Sequence, residues 1–254
     1  MYYHKMHPAQ IREAIKKNSP IVLAVGTVEY HSEHLPLGVD GLVVEGCLER
    51  LEKRRPELIV MPPFYYGVSS FAVAGPENGQ GTIDMDSMIV CKFAENLFTN
   101  LLETGWRNIH AFIKHHGENF QQGMPTDLAL RLGGRRAIFA YLEKTRGRGW
   151  WGDKSMSNYY SENNVFNWIR VHTPAFEVRK EYGGDHAGRM ETSATMALYP
   201  ETVHMELHDP DAWYAQGALK ASPELGERYM CDMVDSVERL LFPEKEEKGV
   251  NRNE

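Results

Sequence analysis

The feature that most restricts the fold of this chain is a repeated exchange between short, β-branched apolar runs and longer segments of helical spacing. Residues 20–25, PIVLAV, form an apolar run too short for a helix, the mark of a strand covered on both faces. A polar loop over 26–40 follows, and 41–53 (GLVVEGCLERLEK) returns to helical spacing with its charge at the end. The pattern recurs with a strand at 58–62, a Gly-rich loop over 67–81 and a long helix at 86–104. It continues with a strand at 108–114, a helix at 120–132 and a fourth strand at 137–142. An earlier short helix starts at Pro8, where a missing N–H does no harm, and ends near Asn18. Alternation of this kind predicts an α/β fold, a mostly parallel sheet with helices on both faces. From 145 to 173 the periodicity fades and aromatic residues gather, so a loop-rich insertion is expected there. Helices at 191–198 and 224–241 complete one expected domain, residues 1–243, and the charged residues 244–254 read as a frayed tail.

Charge and cysteine usage narrow the class of function. The chain has 28 Lys and Arg against 35 Asp and Glu, a formal net charge of −7, whereas nucleic-acid binding needs a clustered basic excess. The small basic groups, such as Lys53-Arg54-Arg55, sit beside expected helix ends, where cations complement the dipole. Cys47, Cys91 and Cys231 are far apart and odd in number, so neither a disulfide framework nor a thiolate metal site is expected. A reducing cytoplasm fits this usage. The first residues lack the apolar core of a signal peptide, and no run of about 18 apolar residues follows, so no membrane association is expected. With 254 residues, the chain can bury a sizeable core without staples.

In an open parallel sheet, ligands bind outside the carboxyl ends of the strands, so the loops after the first and third strands are expected to converge. The first carries Glu29-Tyr30-His31 and then Asp40; the second carries His116-Gly117-Glu118. Residues two apart in extended chain project to one side, so each acid/His pair can send an oxygen and a nitrogen toward a shared centre. Two imidazoles and three carboxylates suit Zn²⁺ or Mn²⁺ and exceed what one catalytic zinc usually takes. Two metals with Asp40 as the bridging candidate follow, sharing a water whose pKa a bound dication can lower from about 15.7 to about 7.

Several of these stretches resemble the creatininase family, the creatinine amidohydrolases and their relatives. Residues 26–40, GTVEYHSEHLPLGVD, are similar to that family's signature loop of a glycine, an E-x-H, HLPLG and an Asp. KHHGEN at 114–119 resembles its second metal loop, HAGRMETS at 186–193 its third motif, and Gly81-Thr82-Ile83 a shorter element. The resemblance runs from about Ile21 to about Tyr199. It implies a three-layer α/β/α sandwich, two divalent ions per subunit, Zn or Mn, no other cofactor, and often a homohexamer assembled from dimers. Carried over, it puts Glu29 and His116 on one metal, His31 and Glu118 on the other, and Asp40 between them. A carboxylate at 118, where some relatives have glycine, follows the creatininase type.

The same resemblance makes His186 the catalytic histidine, with Asp185 beside it orienting substrate or a second water. Glu191 hydrogen-bonds the metal shell or serves as a helix N-terminal carboxylate. The implied reaction is attack of a metal-bound hydroxide on the sp² carbon of a cyclic amide or related C–N bond. The alternatives are opening of a cyclic keto-polyol by C–C hydrolysis, or a metal-retaining binding protein without catalysis. Tyr30 and Ser32 stand where the family commonly has Gln and Gly, and the loop 69–81 lacks the family's histidine and F-P-G, so the pocket wall has changed. Ser69, Tyr65, Tyr66, Gly117, Trp150 and Trp151 are the expected contacts to a small-molecule substrate, the aromatic ones by stacking.

Overall fold

The computed structural model describes residues 1–69, 74–115, 125–158, 164–173 and 182–243. Four short strands form its sheet: β1 (Ile21–Val25), β2 (Ile59–Val60), β3 (Ile109–Ile113) and β4 (Ile169–His172), in the order β2-β1-β3-β4. Every pairing is parallel. Helix α1 (Pro8–Lys16) precedes β1, α2 (Val39–Arg54) links β1 to β2, and α3 (Ser87–Thr104) links β2 to β3. Then α4 (Pro125–Arg146) precedes β4, and α5 (Arg189–Leu198) and α6 (Pro223–Leu241) follow it.

The pleat of β1 divides the core in two. Val22 and Ala24 join a layer with Val43 and Leu48 of α2, Ala194 of α5 and Met230 and Met233 of α6. Ile21, Leu23 and Val25 face a second layer containing Phe98 and Leu102 of α3 and Leu130 and Ile138 of α4. All five β1 residues are buried, which is why the run carries no polar alternation. The result is the expected α/β/α arrangement. Among the described residues no helix is long and apolar enough to cross a membrane.

One expected strand is a helix. Residues 137–142 lie inside the 22-residue α4, which buries Ala129, Leu130, Gly133, Gly134, Ala137, Ile138 and Leu142 at helical spacing. The Gly133-Gly134 pair inside this helix is a notch for close packing. A Cβ on Gly133 lies 2.7 Å from Ala94 Cβ and from the Cys91 carbonyl oxygen, so α3 and α4 approach only because it has none. The fourth strand comes instead from the end of the aromatic stretch, after short 3-10 turns at Trp150–Gly152, Lys154–Met156 and Val165–Trp168. Further turns, Pro200–Thr202, Met205–Leu207 and Trp213–Lys220, fill the interval between α5 and α6.

Val25 lies opposite Ile113 in the β1/β3 ladder, so the chain leaves both strands side by side at the carboxyl edge of the sheet. Gly26 opens the first loop there. A Cβ on it lies 2.3 Å from the Gly41 nitrogen and 2.4 Å from the Gly41 Cα, so the strand end and the first turn of α2 meet without a side chain between them. That contact brings Asp40, on the first turn of α2, back over the end of β1.

Candidate metal centre

The first loop is pinned along its length. Glu29 N–H donates to the Leu37 carbonyl, Tyr30 N–H to Thr82 Oγ1, and Ile83 N–H to the Val28 carbonyl. Ser32 and Ala187 hold left-handed backbone, φ 61° and 50°, beside His31 and His186. Left-handed conformation in non-glycine residues persists only where surrounding contacts impose it, and it concentrates at functional sites.

Asp40 is the hub of the cluster. Its Oδ2 accepts from Thr27 Oγ1 at 2.6 Å and lies 3.0 Å from His115 Nδ1, while its Oδ1 lies 3.8 Å from His31 Nε2. Glu29 Oε2 is 3.3 Å from the same His115 nitrogen, and Glu191 Oε2 is 3.6 Å from His31 Nε2. Two sets of ligand atoms therefore share Asp40: Glu29, Asp40 and His115 on one side, and His31, Asp40 and Glu191 on the other. A third close set joins Glu29, His31 and His186.

Hydrogen bonding fixes which imidazole nitrogens face the centre. His31 Nδ1 lies 2.8 Å from the Glu29 carbonyl, which can only accept, so Nδ1 carries the proton. Nε2 of the same ring faces two carboxylate oxygens, an array of acceptors whose natural occupant is a cation. His186 Nε2 sits 3.0 Å from the Tyr30 carbonyl, which likewise can only accept, so Nε2 carries a proton. Its ring stacks on His31 at 4.5 Å.

Charge is compensated locally. Burial opposes ionisation of Asp40, yet the hydrogen bond and charge of His115, with His31 and Lys114, hold its carboxyl far below the usual range. Burial likewise opposes protonation of His115, and Asp40 and then Glu29 outweigh it, raising its pKa. Lys114 Nζ meets Glu191 Oε1 at 2.5 Å, and Glu191 Oε2 accepts from the Ala187 N–H at 2.8 Å. Burial opposes ionisation of Glu191 too, and the charges of Lys114 and then His31 outweigh it, lowering its carboxyl to about 2. Three buried carboxylates with neighbouring imidazoles are a donor set that fits hard or borderline divalent ions such as Mn²⁺ or Zn²⁺.

Of the residues singled out from sequence, the structure brings together Glu29, His31, Asp40, His186 and Glu191. His116, Gly117 and Glu118 lie outside the described residues. Asp185 accepts from the Met190 N–H at 2.6 Å and the Glu191 N–H at 3.4 Å, so it ties down the first turn of α5. Burial and then the neighbouring Glu191 raise its pKa. Ser69 binds Asp84 through both its N–H and its hydroxyl, and Tyr65 donates to Glu45 while its ring covers Gly41. Tyr66, edge-on to Phe64, helps line an apolar cavity of about 550 Å³ with Met85, Ile89 and Phe93. Trp150 and Trp151 pack edge to face, and Trp150 also meets Phe139 of α4.

His115, Lys114 and Thr27 were passed over in the sequence. His115 stands beside His116 in the KHHGEN stretch, two residues past the end of β3. Tyr214 was passed over too; its ring lies 5.5 Å from that of His186, and no local pattern announces it.

The family model for creatinine amidohydrolase, Creatininase, matches residues 4–241. The 3-dehydro-scyllo-inosose hydrolase of Thermotoga maritima is 23% identical over 241 residues, covering 84% of this chain and 68% of that protein. The creatinine amidohydrolase of Pseudomonas putida is 27% identical over 194 residues, covering 73% of this chain and 66% of that protein. Among solved structures, a creatininase described as a manganese form superposes with a TM-score of 0.71 at 20% identity, covering 95% of this chain and 98% of that one, a likeness of fold. With a family model matched along nearly the whole described length and hydrolases as its relatives, the chain belongs to the creatininase family.

Proposed function

We propose that this chain is a hydrolase with two divalent ions that cleaves a C–N bond of a cyclic amide or a related substrate. The observation that carries the reading is Asp40, whose two oxygens face two different imidazoles, each with a further carboxylate at its side. Glu29, Asp40 and His115 are the residues to hold one ion, and His31, Asp40 and Glu191 the other. His116 and Glu118, the ligands implied by the family motif, belong to the same proposal. Divalent ions bound there supply Lewis-acid polarisation of a carbonyl and acidify water.

The chain's own groups do the rest. Thr27 holds Asp40 by one oxygen, and the Glu29 carbonyl sets the tautomer of His31, so the donor atoms are aimed before any ion arrives. Lys114 and the Ala187 N–H fix the rotamer of Glu191. His186, with Nε2–H held by the Tyr30 carbonyl, presents Nδ1 to carry the proton that the departing nitrogen needs once the C–N bond breaks. Asp185 keeps the HAG turn and the start of α5 in place, which positions His186.

A second reading, hydrolytic opening of a cyclic keto-polyol, draws on the similarity to the Thermotoga maritima enzyme. Elemental analysis of protein purified without chelator, beside turnover of cyclic amides and cyclic keto-polyols, tests the proposal. About two Zn or Mn per chain are expected, falling by about one in His31→Ala with loss of turnover. Full activity in a metal-free preparation would refute it. Measuring His115→Ala beside His116→Ala identifies the second-loop ligand as the one whose loss removes metal.

A further inference from the structure

The amino edge of the sheet, opposite the metal centre, holds a cavity of its own. Asn18, Asn108 and Trp168 stand shortly before β1, β3 and β4, and all three line this space of about 350 Å³. The five residues of β3, about 16 Å, separate that edge from the carboxyl edge where Asp40 sits.

Arg107, Arg146 and Arg170 border the cavity, and no Asp or Glu does. Their side-chain partners among the described residues are neutral. Arg107 donates to the Leu102 and Trp106 carbonyls and to the Tyr141 hydroxyl, and its Cζ lies 4.6 and 4.7 Å from the Tyr141 and Trp168 ring centroids. Arg146 donates to Ser155 Oγ and Met156 Sδ, both at 3.2 Å. The guanidinium of Arg170, exposed on β4, has no hydrogen-bond or ion-pair partner among the described residues. Elsewhere the same chain pairs its surface arginines with acids, Arg50 with Glu227, Arg54 with Asp235 and Arg55 with Glu238. Three cations left without a counter-charge around one hollow repel one another until an anion enters.

The neutral lining supplies further donors. Ser155, Asn164 and Asn167 border the same cavity, and Asn164 Oδ1 is taken by the Phe166 N–H at 2.9 Å, which leaves its NH₂ to donate. Asp153 accepts the Ser155 N–H at 2.8 Å and does not line the cavity. Arg107, held by two rings and three acceptors, has its donors set before a ligand arrives, so little rotamer freedom is lost on binding. Three cations with these neutral donors exceed what the two oxygens of one carboxylate engage. A phosphate group offers three terminal oxygens and up to two negative charges. Arg170 and Asn167 also border an adjoining cavity of about 390 Å³, but there Arg131 is already paired with Asp127.

We propose that the cavity at the amino edge binds a phosphate group, free or on a small ester, through Arg107, Arg146 and Arg170, at a site separate from the metal centre. The assignment does not depend on which bond the chain hydrolyses.

Ribose 5-phosphate, inorganic phosphate, ribose and citrate are titrated separately into the full chain by calorimetry at fixed ionic strength in chloride. Both phosphates are expected to saturate the site, with ribose silent and citrate weaker than either. Tighter binding of ribose 5-phosphate assigns the site to an ester, and tighter binding of inorganic phosphate assigns it to the free ion. Affinity is expected to fall about tenfold in Arg170→Gln and in Arg146→Gln, both exposed positions whose replacement leaves folding intact. It is expected to be unchanged in Asp40→Asn, which disables the metal centre. No saturable binding of either phosphate up to about 10 mM, or an affinity unchanged in both arginine variants, overturns the assignment. So does tighter binding of citrate, or loss of binding in Asp40→Asn, which puts the phosphate on the metal centre.

Discussion

Replacing Lys114 with Met removes the lysine that meets Glu191 and keeps most of its volume. In the folded chain Lys114 Nζ and Glu191 Oε1 are 2.5 Å apart, with side chains 9% and 7% exposed. Coulomb's law at an effective dielectric of 20 puts the gross attraction at about 7 kcal/mol, an upper bound because both groups give up hydration. Breaking one side of a buried pair costs about 3–5 kcal/mol, since the remaining charge stays buried. The Ala187 N–H still donates to Glu191, so the lower part of that range is expected. The assay is urea unfolding at pH 7 in chelator, because a bound ion would take over the charge of Glu191. With a slope of about 3 kcal/mol per molar, the midpoint falls by about 1 M and the slope is unchanged. Glu191→Gln in the Lys114→Met background should recover stability, because the orphaned charge is gone. A loss below about 1 kcal/mol, or a double variant no more stable than the single one, would show that Lys114 does not hold Glu191 and that the aim of Glu191 at His31 has another cause.

Acid should weaken the fold through a pair of histidines away from the centre. His110 and His172 are hydrogen-bonded at 2.9 Å, and burial, with the neighbouring His172 or Arg170, lowers them from 6.5 to about 3 and about 4. Between those values and 6.5 the unfolded chain binds the protons and the folded chain does not, so stability rises with pH in that window and is lost as pH falls below 6.5. At about pH 5.5 the loss is about 1.4 kcal/mol for the first imidazole, and denaturation of His110→Phe against pH should show a shallower slope. Gly26→Ala should cost about 3 kcal/mol or more, because its Cβ falls 2.3 Å from backbone at Gly41, and the displaced turn carries Asp40 with it. Metal content should fall even in the fraction that folds, whereas unchanged metal binding would mean that Asp40 is not held through this contact. Asp40→Asn should remove metal from both halves of the centre, so retention of one ion per chain would rule out Asp40 as the shared ligand.

The reading of α4 shows where local pattern misleads. Residues 137–142 are short, apolar and aromatic, and two glycines precede them, so taken alone they match a strand after a break. What makes them helical is α3: the notch at Gly133 accepts Ala94, and continuing the helix places Ala137, Ile138 and Leu142 on the same buried face. β4 was hidden for the converse reason, as four residues with only Ile169 and Val171 buried, whose strand character comes from pairing with β3.

The sequence by itself determined the α/β class, the β1 and β3 strands, the loop that follows β1 and the acid/His pair of Glu29 and His31, because burial of a whole strand and projection of residues two apart are local consequences of backbone geometry. Only the tertiary structure decided that His115 faces Asp40 across 75 residues, that Lys114 meets Glu191 across 77, and that Tyr214 leans on His186. Those contacts depend on the rotation and axial position of α2, α5 and the turn at Trp213–Lys220 against the sheet. Side-chain packing sets these across the whole core, so no window of neighbouring residues contains them.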